Sequence, residues 1–244
     1  MSYTVNNPGT GRLCNQIFRN VALSIIAEKH NLYVQYSNFD TISKLGIKLY
    51  IGKNSHFNTI KLTDDNYFEI LSQDTLYFNL DANSNYFQTK EISDFLYSYL
   101  QTDHIKKEII NHNPYIDRYN NNNDLFVHFR LTDVAKWNPG IDYYIKTTNI
   151  INNIDHIYLS TDEPSHPFIQ QYINTFPNTI IINYDLINII QFANTCKNII
   201  LSHGTFSAMI GYLAYHSTIF YPKYENAKIW YGDIFSIPEW NCIS

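Results

Sequence analysis

A chain of 244 residues that is 45% hydrophobic holds enough apolar material for one large core or two small ones. Its net charge of −5 and pI near 5.9 lack the basic face of a general nucleic-acid binder, though they leave room for a local basic pocket. Three widely spaced cysteines form no CxxC pair or Cys/His cluster, there is no charged leader before an apolar segment, and no apolar run reaches the ~18 residues of a membrane span, so reduced thiols and a soluble, cytoplasmic protein are expected.

Residues 3–5 suggest a short strand, and Pro8-Gly9-Thr10-Gly11 is turn chemistry. Ile17, Val21 and Ile25 then recur at four-residue steps, predicting an amphipathic helix that ends near His30, followed by a strand over 32–36. Strand, loop, helix, strand opens an α/β layer fold. Between 37 and 90 the pattern is mixed: 47–51 and 76–80 could be strands. Residues 91–99 and 104–110 look helical.

A polar stretch from Asn111 to Asp124, containing Pro114 and four consecutive Asn, reads as a domain boundary. It divides the chain into an α/β domain at 1–118 and a second domain at 119–244. In the second, strands are expected at 125–129, 156–160, 179–182, 198–201 and 218–221. Helices at 142–151, 166–175, 185–193 and 205–215 alternate with them. Such alternation implies a parallel, doubly wound, Rossmann-like sheet.

Four islands join apolar stretches to polar side chains at strand or helix ends, where α/β folds keep their chemistry. Gly11-Arg12-Leu13-Cys14-Asn15-Gln16 is either a capped helix with a solvent-facing Arg or a loop whose Arg12 and Asn15 face one ligand. In Val127-His128-Phe129-Arg130-Leu131-Thr132-Asp133, a strand running to Arg130 would turn His128 and Arg130 to one face. Arg suits phosphate through its planar fork, and Asp133 could either orient it or meet a sugar hydroxyl. The other reading is a core His beside a structural Arg–Asp pair.

Ser160-Thr161-Asp162-Glu163 offers a carboxylate either to a nucleoside or to a helix cap before Pro164. Ser202-His203-Gly204-Thr205-Phe206-Ser207 precedes a helix. It reads as ordinary capping by Thr205 or Ser207, or as an anion site at a helix N-terminus.

Taken in order, these islands resemble the motifs of GDP-fucose-dependent α-1,2-fucosyltransferases: Gly-Arg-x-x-Asn-Gln, His-x-Arg, Ser-x-Asp and Ser-x-x-Thr-Phe-Ser, with Asp142-Tyr143-Tyr144 after the central motif. The chain departs from the family pattern at Cys14, Leu131, Ala208 and Met209, and residues 37–120 carry no match. The resemblance implies a GT-B-like fold, with a smaller N-terminal acceptor domain and a C-terminal donor domain. It implies transfer of L-fucose from GDP-fucose to a glycan hydroxyl, inverting and without a metal or other cofactor. The partners are then a nucleotide sugar and a glycan acceptor, not nucleic acid.

Carried over residue by residue, the resemblance makes Arg130, Asn15 and Asp133 catalytic. Arg12, His128, Arg130, Asp162, Ser202, Thr205, Phe206 and Ser207 become donor-binding. Asp133, Glu28 and His203 are the candidates for general base. Two other readings remain open: a glycosyltransferase using another nucleotide sugar, and a glycan-binding module without turnover.

Overall fold

The computed structural model describes residues 4–5, 11–83, 85–132, 137–224 and 232–244. The chain forms two compact units, 1–105 with 231–233, and 106–230 with 234–244.

In the first unit, β1 (Thr4–Val5), β2 (Val34–Gln35), β3 (Thr59–Lys61) and β4 (Asn79–Asp81) form a parallel sheet in the order β2-β1-β4-β3. The long helix α1 (Leu13–His30) buries Ile17, Phe18, Val21, Leu23 and Ile26. It ends at Asn31, whose left-handed backbone (φ 52°) turns its N–H back to the carbonyls of Ala27 and Glu28. Helices α2 (Phe39–Ser43), α3 (Tyr67–Ser72) and α4 (Lys90–Leu100) complete the unit. The strand expected at 32–36 shrinks to two residues, and the one expected at 76–80 moves to 79–81. Residues 47–51 are no strand: Tyr50 N–H donates to Ser24 Oγ on α1, so its backbone bond leaves the ladder.

The division between units falls inside α5 (Asp103–Asn111), ahead of the boundary expected at 118. The Asn-rich stretch belongs to the second unit for a physical reason. Asn113 Nδ2 donates to Gln191 O (2.7 Å), Asn122 Nδ2 to Thr195 O (3.0 Å), and Arg118 pairs with the buried Asp124 carboxylate at 2.6 Å.

The second unit carries strands β5 (Leu125–Phe129), β6 (Ile157–Thr161), β7 (Thr179–Ile181), β8 (Asn198–Ile200), β9 (Thr218–Pro222) and β10 (Asn241–Ile243). They make one parallel sheet in the order β10-β9-β8-β5-β6-β7, with helices α6 (Ile141–Ile150), α7 (Pro167–Thr175), α8 (Leu186–Ala193) and α9 (Thr205–Tyr212) between them. This is the α/β, Rossmann-like arrangement the alternation implies. Among the described strands of this unit, β10, a short strand beside β9, is additional.

Every side chain of β5 is buried, as a central parallel strand requires, and the core gathers Leu125, Val127, Phe129, Tyr144, Leu159 and Tyr172. The Phe129 and Tyr144 rings stack with centroids 3.7 Å apart. From β5 the chain builds outward through β6 and β7, then returns to the other side of β5 for β8. The carboxyl ends of β5 and β8 therefore flank a topological switch point. Among the described residues no helix is long and apolar enough to cross a membrane.

Candidate functional site

The strand β5 stops at Phe129, so Arg130 is the first residue beyond it rather than a strand partner of His128. The register sets His128 opposite Ser160 of β6, with its ring buried. Its Nδ1 lies 2.6 Å from Ser207 Oγ in the first turn of α9, and its ring meets Phe206 edge-on at 5.0 Å. Burial pushes the His128 imidazole down to about 3, with Asp162 opposing and Arg130 and His203 adding to the effect. His128 is therefore a neutral hydrogen-bonding group that ties β5 to α9.

Asp162, just past β6, organises the segment after β5. Its Oδ2 lies 3.2 Å from Arg130 Nε and accepts from Thr132 Oγ1 (2.6 Å). Its Oδ1 accepts from Leu131 N–H (2.7 Å). Burial pushes the carboxyl up, but the Thr132 hydroxyl, the Leu131 amide and Arg130 outweigh it and hold it below the usual range. The alternative of a helix cap falls away, because α7 is capped by His166, whose Nδ1 accepts from Phe168 N–H (3.1 Å). Among the described residues, Asp162 is a carboxylate that meets Arg130; Asp133, expected to orient it, lies outside the described residues.

After β8 the chain turns through Ser202 to Gly204. Gly204 caps α9 at φ 87°, ψ 165°, a conformation side-chain-bearing residues rarely adopt. A Cβ there would meet nothing within 4 Å, so the space beside the helix start is open. The N-cap position of α9 is Gly204, which has no side chain to cap with, so neither Thr205 nor Ser207 is its N-cap residue. Thr205 and Phe206 are half-buried, and Ser207 is buried against His128. The Ala208 N–H to Gly204 O bond opens the helix ladder. The N–H groups of Thr205, Phe206 and Ser207 therefore stand ahead of it, at the positive end of the helix dipole.

The two loops are cross-linked. Ser202 Oγ accepts from Arg130 N–H (3.3 Å) and from Tyr144 Oη–H (3.0 Å), and lies 3.1 Å from His203 Nδ1. Asn138 Nδ2 donates to Arg130 O and to Tyr144 Oη, each at 3.1 Å.

The first unit holds the other expected residues. Gly11 stands at φ 80°, and a Cβ there would come within 2.7 Å of Asn15 Cβ and 2.9 Å of Tyr86 Cε1. Arg12 is exposed and extended at the start of α1. Asn15 Oδ1 accepts from Gln88 Nε2 (3.0 Å), and Gln16 Oε1 accepts from Ser37 Oγ (2.7 Å). Beneath them Arg19 is fully buried, its Nε donating to Asn85 O (2.9 Å) and its guanidinium 5.2 Å from the Tyr86 ring centroid. Burial pushes Arg19 down, against Tyr86 and Asp81. The 85–88 segment thus walls the Gly11–Gln16 loop. Sequence reading passed over Arg19, although a charge inside the helical run Phe18-Arg19-Asn20-Val21 is itself a signal.

The second unit accordingly brings His128, Arg130, Asp162, Ser202 and the Thr205–Ser207 turn together at the ends of three neighbouring strands, while Arg12 and Asn15 share a loop of the first unit. Among the described residues, no three His, Cys, Asp or Glu side chains stand close enough to hold a metal ion. Neither a protein-family model nor a curated protein matches the chain.

Proposed function

We propose that the protein is a GT-B-type fucosyltransferase whose second unit binds GDP-fucose in the crevice between the ends of β5 and β8. One observation carries the reading: the His128–Ser207 hydrogen bond, which brings the end of β5 and the glycine-capped start of α9 together across the switch point, with Arg130 two residues further along the chain. A cationic fork and a row of backbone N–H groups on one crevice suit a diphosphate. A lectin has no use for either. On this reading the first unit, which carries Arg12 and Asn15 in its own loop, would take the acceptor.

The reaction on this reading is a single displacement. An acceptor hydroxyl oxygen bonds to fucose C1, the bond from C1 to the β-phosphate oxygen breaks, and the acceptor proton passes to a base. Negative charge grows on GDP as it leaves. Arg130 and the α9 N-terminus stabilise that charge electrostatically, without calling on a divalent metal. Arg130 is oriented for this by Asp162. Among the base candidates, Glu28 is exposed on α1 and His203 is buried against Ser202.

The test is GDP release from GDP-fucose in EDTA, over a panel of galactose- and other sugar-terminated acceptors, with GDP-mannose and UDP-sugars as donor controls. Release only with GDP-fucose and one acceptor is the expected result. Release with another donor alone would move the assignment to a different nucleotide sugar. Glycan binding with no release from any donor would favour a binding module.

A further inference from the structure

The hydrogen bonds around Tyr144 run in one direction only. Asn138 Oδ1 accepts from Gly140 N–H (3.0 Å), and Asn138 Nδ2 faces the carbonyl of Arg130, which settles the amide's orientation. Nδ2 therefore donates to Tyr144 Oη, and Tyr144 must spend its single proton on Ser202 Oγ. Burial holds the Tyr144 phenol far above its ordinary value, against the Ser202 and Asn138 bonds, so the proton stays on. Ser202 Oγ then has both lone pairs filled, by Tyr144 and by Arg130 N–H. Its own proton can go only to His203 Nδ1. That leaves the proton of a neutral His203 on Nε2.

We propose that Tyr144 is a positioning residue. Its hydroxyl locks the loop after β5 to the loop after β8 and fixes the tautomer of His203, holding the crevice in the shape that takes a nucleoside diphosphate. The part that concerns the ligand rests on the function proposed above. Tyr144 touches no reacting atom; it acts through Ser202 and Asn138. Its neighbour Tyr143 supplies the contrast. It too is buried and hydrogen-bonded, but its hydroxyl donates to the carbonyls of Leu201 (2.8 Å) and Phe220 (3.3 Å), pinning α6 to β9 and to the residue after β8 without joining the two loops.

The experiment compares wild type, Tyr144→Phe and Tyr143→Phe by calorimetric titration with GDP, by thermal unfolding, and by ¹⁵N NMR of the His203 side chain. Tyr144→Phe keeps the ring on Phe129 and removes one oxygen. GDP affinity should fall about five- to tenfold, the scale of one hydrogen bond, and His203 should lose its single tautomer. Tyr143→Phe should lower the unfolding temperature comparably, bind GDP like wild type and leave His203 unchanged. Ser202→Ala removes the same joint from the other side and should repeat the Tyr144→Phe result.

Equal losses of affinity in both tyrosine variants would reduce Tyr144 to a packing role and overturn the proposal, as would a proton on His203 Nδ1 in the wild type. If the wild type takes up no GDP, the nucleotide reading falls on its own, and the His203 resonances still decide whether Tyr144 forms the joint.

Discussion

Among the positive-φ glycines that precede helices, two lie in the motif loops: Gly11 at 80° before α1, and Gly204 at 87° before α9. Around Gly11 the space is filled by Asn15 and Tyr86, and the loop's amides are held by Gln88 and Ser37. Around Gly204 the space is open, and the polar side chains of the turn hold each other and the end of β5. The same local chemistry thus serves a loop braced against its own wall and a loop that presents helix N–H groups. Packing, not the glycine, separates them.

The largest effect should come from the cation on the loop after β5, which is hydrogen-bonded to the open loop through Ser202. Arg130→Ala should cut the proposed fucosyl transfer roughly 10²–10³-fold, the cost of one preorganised donor; near-normal turnover would remove Arg130 from the proposed mechanism. In the braced loop the largest loss is of stability. Arg19→Ala leaves a cavity and an orphaned Asn85 carbonyl, and should cost about 3 kcal/mol in denaturant unfolding. A loss within measurement error would mean that the 85–88 wall stands without Arg19.

The glycines themselves sharpen the contrast. Gly11→Ala meets both strain and collision, Gly204→Ala strain alone. The first should destabilise by roughly 2–4 kcal/mol and the second by about 1–2. Equal costs would undo the distinction drawn between the loops.

The most local effect is on pH. His128 is depressed from 6.5 to about 3, so the unfolded chain binds its proton first, and stability falls as pH drops below 6.5 until about 3. Between pH 7 and 5 this group alone should cost about 2 kcal/mol, at roughly 1.4 kcal/mol per pH unit. His128→Gln should flatten that part of the profile; an unchanged slope would show that His128 is not held neutral. Asp162, whose folded value is also depressed, contributes stability that is present above the ordinary carboxylate range and lost as pH falls through its folded value.

Much of the second unit was legible because each inner strand is a short apolar run bounded by turn residues and followed by a helix-length segment. The first unit was not, since strands of two or three residues are too short for alternation to mark. At the candidate site, His128 and Arg130 could be picked out as polar residues ending a buried strand. What Asp162 holds could not: its grip on Leu131 and Thr132 depends on the β5–β6 register, which sets Phe129 beside Thr161. The Tyr144–Ser202 bond spans 58 residues and exists only because β8 returns beside β5. Arg19 was hidden differently. In sequence it reads as one charge on a helix, and its burial appears only once the 85–88 segment is seen against it.

The most direct measurement is a calorimetric titration of GDP into the wild-type protein and Arg130→Ala, in EDTA. The account predicts saturable one-to-one binding by the wild type, and clearly weaker binding by a variant that remains folded. No binding by the wild type, or equal binding by both, would contradict a diphosphate site between β5 and β8.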